Sequence, residues 1–167
     1  MTDEIADRLL QAHAGVEALR ADVEAGAPWP ASPNFGHEPE SSWYPPELLA
    51  HLAEMLPYWM DQIERVLAGY PEPVPFGRVA TDEERIAAIG RDRTLPVGEL
   101  FDRVADGAQA AAGRLRALSG DELDRRGTHP TLGEMTVAAI AERMFIRHLG
   151  DHAEQLRELL GRSGQPA

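Results

Sequence analysis

The sequence predicts an all-α protein organised as a four-helix bundle. Four segments repeat apolar residues at steps of three and four, which is the spacing of one face of an α-helix. No segment shows the alternation of apolar and polar residues between turn residues that is typical of a half-buried strand. Stretches rich in proline and glycine separate the four segments. Packing four such helices together is the economical way to bury their apolar faces.

The first two predicted helices have recognisable ends. The first begins after Thr2, its expected N-cap, and ends before Gly26; its apolar face is Ile5, Leu9, Ala12, Val16, Leu19 and Val23. The second begins at Pro45 and Pro46, which suit a first helical turn because its N–H groups have no partner within the helix. It ends at Gly69, and its apolar face is Leu48, Leu52, Met55, Trp59, Ile63 and Val66.

The last two predicted helices follow the same pattern. The third lies between Pro96 and Gly120, with the apolar face Val97, Phe101, Val104, Ala108, Ala111, Leu115 and Leu118. The fourth has Thr136 as its expected N-cap and ends before Gly161. Its stripe consists of Val137, Ala141, Met144, His148, His152, Gln155 and Leu159.

The connections between these helices differ in kind. Residues 26–42 are rich in Pro, Ser and Gly and are predicted to form an irregular loop. Residues 69–95 contain "TDEERIAAI", whose capping box from Thr81 to Glu84 predicts a short extra helix. A crossover of this length can run the full height of a bundle, so the second and third helices can be parallel.

Composition excludes several classes of function. The 167 residues suit one domain, residues 1–167. The net charge of −12 has the wrong sign for a nucleic-acid partner. No apolar run is long enough to span a membrane, and the acidic N-terminus is unlike a signal peptide, so we expect a cytoplasmic protein. Because the chain has no cysteine, any thiol chemistry requires an external thiol.

Two histidines four residues apart raise the question of a metal site. His148 and His152 fall about 40° apart on a helix, in the middle of the apolar stripe, and are therefore expected to face the core. A buried ring nitrogen without a partner costs a few kcal/mol, and a divalent metal bound by both rings would remove that cost. A carbonyl, a carboxylate or a buried water would serve as well, so this pair alone leaves both interpretations open.

The other histidines bear on this choice to different degrees. His51, in "ELLAHLAEM", lies at the edge of the second helix's apolar stripe and is the candidate third ligand, because bundle cores commonly build metal sites from facing helices. His13, His37 and His129 are expected at the surface, although the loop of His129 leads into the fourth helix and can reach one end of the bundle. The segment "HLGDH" lacks the glutamate of the zinc-peptidase motif HExxH.

Three segments in order resemble a known family. They are "SWYPPELLAHLAEM", "HPTLGEMTVAAIAERM" and "HLGDHAEQL". The chain resembles the DinB-like superfamily, which also includes the N-terminal domains of mycothiol-dependent maleylpyruvate isomerases and the bacillithiol transferases. The resemblance covers nearly the whole chain. It departs from the family pattern at Tyr44, where serine commonly precedes the first proline of the second helix.

The resemblance implies a fold and a ligand set. The fold is a four-helix bundle in up-down-down-up order, often dimeric, so we expect a homodimer. The implied ligands of a divalent metal are His51, His148 and His152, and imidazole ligands favour zinc or nickel. Some thiol-dependent relatives carry glutamate at the position of His148. The all-histidine set is therefore nearer to the general DinB-like and bacillithiol-transferase pattern.

Three functions follow for a small-molecule substrate or ligand. In the first, which the resemblance to thiol-dependent transferases and the absence of cysteine favour, the metal binds an external thiol such as mycothiol, and the protein is an S-transferase. In the second, it activates water and the protein is a hydrolase. In the third, the bundle binds metal or ligand without turnover. An acid or base beside the metal would separate them, and the candidates are Tyr58, Gln155 and Glu54, each of which also suits an ordinary polar surface position.

Overall fold

A computed structural model of the chain describes residues 1–33, 35–36 and 40–163, and it confirms the mostly helical bundle. Eight α-helices lie in this part of the chain: α1 Thr2–Glu17, α2 Arg20–Ala25, α3 Pro45–Gly69, α4 Glu83–Asp92, α5 Val97–Arg116, α6 Gly120–Leu123, α7 Val137–Ala141 and α8 His148–Ser163. A 3₁₀ turn, Glu40–Ser42, precedes α3, and a π-helical segment, Glu142–Arg147, joins α7 to α8. The strands are β1 Val74–Pro75, β2 Arg126–His129 and β3 Gly133–Thr136.

Ion pairs between helices fix the directions of α1, α3 and α5. Asp7 and Arg116 join the start of α1 to the end of α5 at 2.5 Å, so these helices are antiparallel. Glu64 and Arg114 join the last turns of α3 and α5 at 2.6 Å, so these two are parallel, as the long crossover allows.

The direction of α8 completes the order. Arg8 binds Glu142 at 2.7 Å, which places the beginning of the fourth helical unit beside the start of α1. The Nε2 atom of His51, near the start of α3, contacts that of His148, the first residue of α8. Because α3 runs opposite to α1, the start of α3 lies at the far end of the bundle from the start of α1. The fourth unit therefore runs from the start of α1 toward that far end, parallel to α1, and the order is up-down-down-up.

A three-stranded sheet at the side of the bundle was not predicted. β1 pairs in parallel with β2, and β2 pairs antiparallel with β3, in the order β1-β2-β3. The prediction that the chain has no strand was wrong in this respect. Strands of two to four residues are too short to show a period-two pattern in the sequence.

Helix ends agree with the sequence at some positions and differ at others. Thr136 is confirmed as an N-cap, because its hydroxyl accepts a hydrogen bond from the Ala139 N–H at 3.1 Å. The extra helix α4 is confirmed, but its cap is Asp82 rather than Thr81. Met1, not Thr2, precedes α1. The first predicted helix is divided in two after Glu17, and the fourth continues past Gly161 to residue 163.

The fully buried carboxylate of Glu47 organises the chain around the start of α3. It accepts hydrogen bonds from the backbone N–H groups of Ser32 at 3.0 Å and Tyr44 at 3.2 Å. It also binds the Arg93 guanidinium at 3.1 Å. The first turn of α3 is thereby tied to the loop before it and to the end of the crossover. No helix in the described ranges has both the length and the apolar composition of a bilayer span.

Candidate metal centre

Three histidines and one glutamate meet near the start of α3. His51 lies in the second turn of α3, and His148 and His152 lie one turn apart at the start of α8. Glu40, on the 3₁₀ turn, is the fourth member. One ligand atom from each residue lies within 4.8 Å of the others. The four-residue spacing of His148 and His152 puts their rings on one side of α8. The docking of α3 brings His51 to them, and the 3₁₀ turn adds Glu40.

The distances within the cluster suit a metal ion. The Nε2 atoms of His51 and His148 are 2.9 Å apart. The Glu40 Oε2 atom lies 3.3 Å from the Nε2 atom of His152 and 3.8 Å from each of the other two. Around an ion with bonds of about 2.1 Å, tetrahedral ligand atoms are about 3.4 Å apart. The four residues could therefore hold a divalent ion, either with all four as ligands or with the three histidines as ligands and Glu40 beside the fourth position.

The Nε2 atom of His152 gives a second reason to expect a metal ion in the cluster. It is buried and has no hydrogen-bond partner among the residues that the structure describes. A buried polar atom without a partner costs about 1–3 kcal/mol, and such atoms are uncommon in native folds. A metal ion would accept the lone pair of this nitrogen.

The environment favours neutral imidazoles beside an ionised carboxylate. Burial and the nearby charge of His148 hold the pKa of His51 well below its usual range, and burial also lowers the pKa of His148 although Glu40 opposes this. Burial of Glu40 disfavours its charge, but its close contacts with the rings of His148 and His152 and the positive charge of Arg85 overcome this and hold its pKa well below the usual range. These are the protonation states that metal binding requires.

Gln155 fixes the orientation of His152. Its side-chain Nε2 donates to the backbone carbonyl of Glu40 at 2.6 Å, so its Oε1 must face the His152 Nδ1, which lies 3.0 Å away. The Nδ1 atom of His152 therefore carries the proton and donates a hydrogen bond to the Gln155 Oε1 atom. This leaves the lone pair on Nε2, the atom that faces the cluster.

Arg85 supports Glu40 from the crossover. Its guanidinium forms an ion pair with the Glu40 Oε1 atom and donates to the carbonyl of Ala80 at 2.8 Å. The same guanidinium lies 5.4 Å from the ring centroid of Trp43, whose ring meets that of His51 edge-on at 5.9 Å. One carboxylate oxygen is thus held by Arg85, and the other is directed to the histidines.

The remaining predicted residues lie in different places. Glu54 binds Arg78 at 2.5 Å, and the Tyr58 ring lies 3.6 Å below the same guanidinium, so neither belongs to the cluster. The sequence predicted that His148 lies in the middle of the buried stripe. Its side chain is instead 25% exposed, because it lines the cavity. His37 lies outside the described residues.

Glu40 is the cluster residue that the sequence did not predict. It lies in a stretch interpreted as an irregular loop, and it is one of 28 acidic residues in the chain. In the sequence, only its position five residues before Pro45 places Glu40 near the start of a helix. That position does not predict where its side chain points.

A cavity of about 470 Å³ opens onto the cluster. One of its walls comes from the β2–β3 hairpin, which contributes His129, Thr131 and Leu132. His129 was expected at the surface but is 5% exposed, and burial lowers its pKa. Its Nδ1 accepts from the N–H groups of Thr131 at 3.2 Å and Leu132 at 3.3 Å. The histidine therefore shapes the cavity wall and is not part of the cluster.

Comparison with known proteins identifies the family of this chain. The family model of the DinB superfamily matches residues 29–156, a range that includes all four cluster residues. The chain belongs to the DinB superfamily. No protein with a curated description matches it significantly.

A solved structure is similar to this DinB-superfamily protein. YfiT from Bacillus subtilis, described as a probable metal-dependent hydrolase with an unusual four-helix bundle topology, aligns with a TM-score of 0.64. The alignment covers 95% of this chain and 89% of YfiT at 18% sequence identity. At this identity the similarity establishes the shared fold.

Proposed function

We propose that the protein is a metal-dependent hydrolase of small molecules in which His51, His148 and His152 hold a divalent ion, zinc or nickel. An ion held by neutral imidazoles acidifies a bound water and polarises a carbonyl. The chain supplies the three lone pairs, and Gln155 keeps one of them directed inward. The description of YfiT as a probable metal-dependent hydrolase supports the same reaction class.

The observation that carries this proposal is the position of Glu40. One oxygen of its carboxylate is bound by Arg85, and the other faces the histidine nitrogens at 3.3–3.8 Å. A water beside this oxygen donates a hydrogen bond to it, so the carboxylate is placed to accept the proton of that water. A thiol placed there would donate in the same way, so Glu40 supports activation of a nucleophile of either kind. The description of YfiT is the observation that favours water over a thiol.

Thiol transfer is the second candidate. The cavity of about 470 Å³ lies within the range of sites that bind small organic ligands, a class that includes low-molecular-weight thiols such as mycothiol. The absence of cysteine from the chain requires that such a thiol come from outside. The expected homodimer and cytoplasmic location stay predictions.

The test begins with the metal content of the purified protein. A panel of nitrophenyl esters and anilides is then assayed with metal present, removed by a chelator and restored, in the presence and absence of mycothiol, bacillithiol, glutathione and coenzyme A. We expect thiol-independent hydrolysis that is lost on chelation and in His148→Ala. Turnover only with a thiol would favour the transferase. Metal binding without turnover on any substrate would favour a binding module.

A further inference from the structure

The cavity beside the cluster has a charge opposite to that of the whole chain. Four arginines, Arg78, Arg85, Arg143 and Arg147, line it, against the carboxylates of Glu40 and Asp151. The chain as a whole has 16 basic and 28 acidic residues. A quarter of all the cations therefore border one cavity, and a concave site focuses their field.

Two of these arginines are committed to protein carboxylates. Arg85 is paired with Glu40, and Arg78 with Glu54. The Arg78 side chain is 10% exposed, and its buried Nε atom has no hydrogen-bond partner among the described residues. Because the charges of these two guanidinium groups are balanced by carboxylates, the positive charge available to a ligand comes from the other two arginines.

The other two arginines have no partner in the described part of the chain. Arg143 and Arg147 are exposed and form no hydrogen bond or ion pair there. They lie four residues apart on the π-helical segment and continue in a row to Asp151. A parallel row, Met144, His148 and His152, borders the same cavity. The free guanidinium groups therefore share one cavity with the metal-binding histidines, and a planar guanidinium is suited to bind carboxylate or phosphate.

Part of the cavity lining is apolar. Trp59, Met144, Val79 and Leu132 all line the cavity. The first two are largely buried, whereas Val79 and Leu132 are 42% and 40% exposed. Among the described residues, these are two of only four large apolar side chains with substantial exposure. Their position suits a ligand with an apolar body as well as an anionic group.

We propose that Arg143 and Arg147 bind the anionic group, a carboxylate or a phosphate, of a small substrate whose apolar body lies against Trp59, Val79 and Leu132. The inference rests on the proposed function for the reaction that this substrate undergoes, but the binding itself depends on the arginines. It makes the two arginines specificity-determining residues.

Binding of matched probes tests this inference. Zinc-loaded protein is titrated calorimetrically with benzoate, phenyl phosphate and neutral benzamide at constant ionic strength. We expect at least one anion to bind roughly tenfold or more tightly than benzamide, and Arg143→Gln and Arg147→Gln each to weaken it by about tenfold. The control Arg162→Gln, on the distal part of α8, is expected to leave affinity unchanged because this side chain is 75% exposed and lies outside the cavity.

The outcomes separate this inference from the proposed function. A preference for benzoate or for phenyl phosphate identifies the anionic group. Anion binding that is equal in wild type, Arg143→Gln and Arg147→Gln would come from zinc alone and would overturn the inference, as would equal affinity for benzamide. Zinc content is measured in the same samples, and the titrations are repeated on metal-free protein. Loss of zinc binding with retention of arginine-dependent anion binding would overturn only the proposed function.

Because both arginines are exposed, their replacement is expected to leave the melting temperature within a few degrees of wild type. Arg147→Lys, which keeps the charge, is expected to retain more affinity for the anion than Arg147→Gln. Equal affinities of these two variants would show that positive charge at this position does not bind the ligand.

Discussion

The Nε2 atoms of His51 and His148 lie 2.9 Å apart, although 97 positions separate the two residues in the sequence. Two ring nitrogens at this distance either share an N–H···N hydrogen bond, donated by one neutral ring to the other, or direct both lone pairs to a cation. Burial lowers the pKa of both histidines, which disfavours the positively charged form of either ring at neutral pH. Both rings are therefore neutral and able to bind a metal ion.

Replacement of single ligands is expected to remove the metal site. Purified protein should contain about one divalent ion per chain, and His51→Ala, His148→Ala or His152→Ala should each lower metal affinity by more than about 100-fold, because outer hydrogen-bond partners alone contribute 10–100-fold. Competition with a chromophoric chelator measures this. His13→Gln, a partly buried histidine on α1 outside the cluster, is the control. Unchanged affinity in His51→Ala would show that the ion binds elsewhere.

Metal is expected to stabilise the fold at neutral pH. At a metal concentration of about 100 times Kd, binding to the folded state adds about 2.7 kcal/mol, or roughly 5–11 °C in melting temperature for a chain of this size. Thermal melts of the metal-loaded and metal-free protein at pH 7 measure the difference. Identical melting temperatures would show that the cluster does not couple metal to folding.

The same stabilisation is expected to vanish on acidification. The folded-state pKa values of His51 and His148 lie below the ordinary value of about 6.5, so in the range below pH 6.5 the unfolded chain binds more protons than the folded one. Stability is therefore present above pH 6.5 and falls with pH, and protons displace the metal over the same range. Melts near pH 5 should show no effect of added metal. The double variant His51→Gln, His148→Gln should lose part of this pH dependence.

Gln155→Ala is expected to weaken metal binding about 10–100-fold without removing a ligand. The change deletes the acceptor that holds the Nδ1 proton of His152 and the donor to the Glu40 carbonyl. Gln109→Ala, at an exposed position on α5, is the matched control and should bind metal as wild type does. If both variants bind metal equally well, Gln155 does not position His152.

Gly77→Ala is expected to destabilise the protein by about 1–3 kcal/mol. Gly77 has a φ of +84°, and an added Cβ would clash with the Cδ2 atom of the His129 ring. Gly113→Ala, in α5 with open space around the new methyl, should instead stabilise by about 0.5–1 kcal/mol. Urea unfolding measures both changes, and a Gly77→Ala protein as stable as wild type would contradict the close approach to His129.

Local periodicity explains which parts of this protein its sequence predicts. The spacing of His148 and His152 is a property of one helix, so their alignment follows from the sequence, and the apolar stripe on α3 places His51 near the interface. Glu40 lacks such a pattern, because its position depends on Arg85 from the crossover and on Gln155 from α8. The sheet was missed for a related reason: its short strands are defined by pairing between segments distant in the sequence.

Helix ends are predicted less well because neighbouring polar residues compete to cap them. Thr81 and Asp82 both suit the start of α4, and the structure uses Asp82, whose carboxylate accepts from the Arg85 N–H at 2.9 Å. This choice bears on the site, since the following turn carries the Arg85 side chain to Glu40.

The crossover between α3 and α5 bears on how this bundle can diversify. Residues 70–96 bring Arg78, Val79 and Arg85 to the cavity, whereas the three histidines lie on α3 and α8. Two buried side chains, Phe76 and Ile89, attach the crossover to the core. Exchange of this one continuous segment, with both attachments retained, would change ligand choice and leave the histidines in place. Insertions and deletions in a single connection thus give such a scaffold a route to new substrates that avoids repacking its interior.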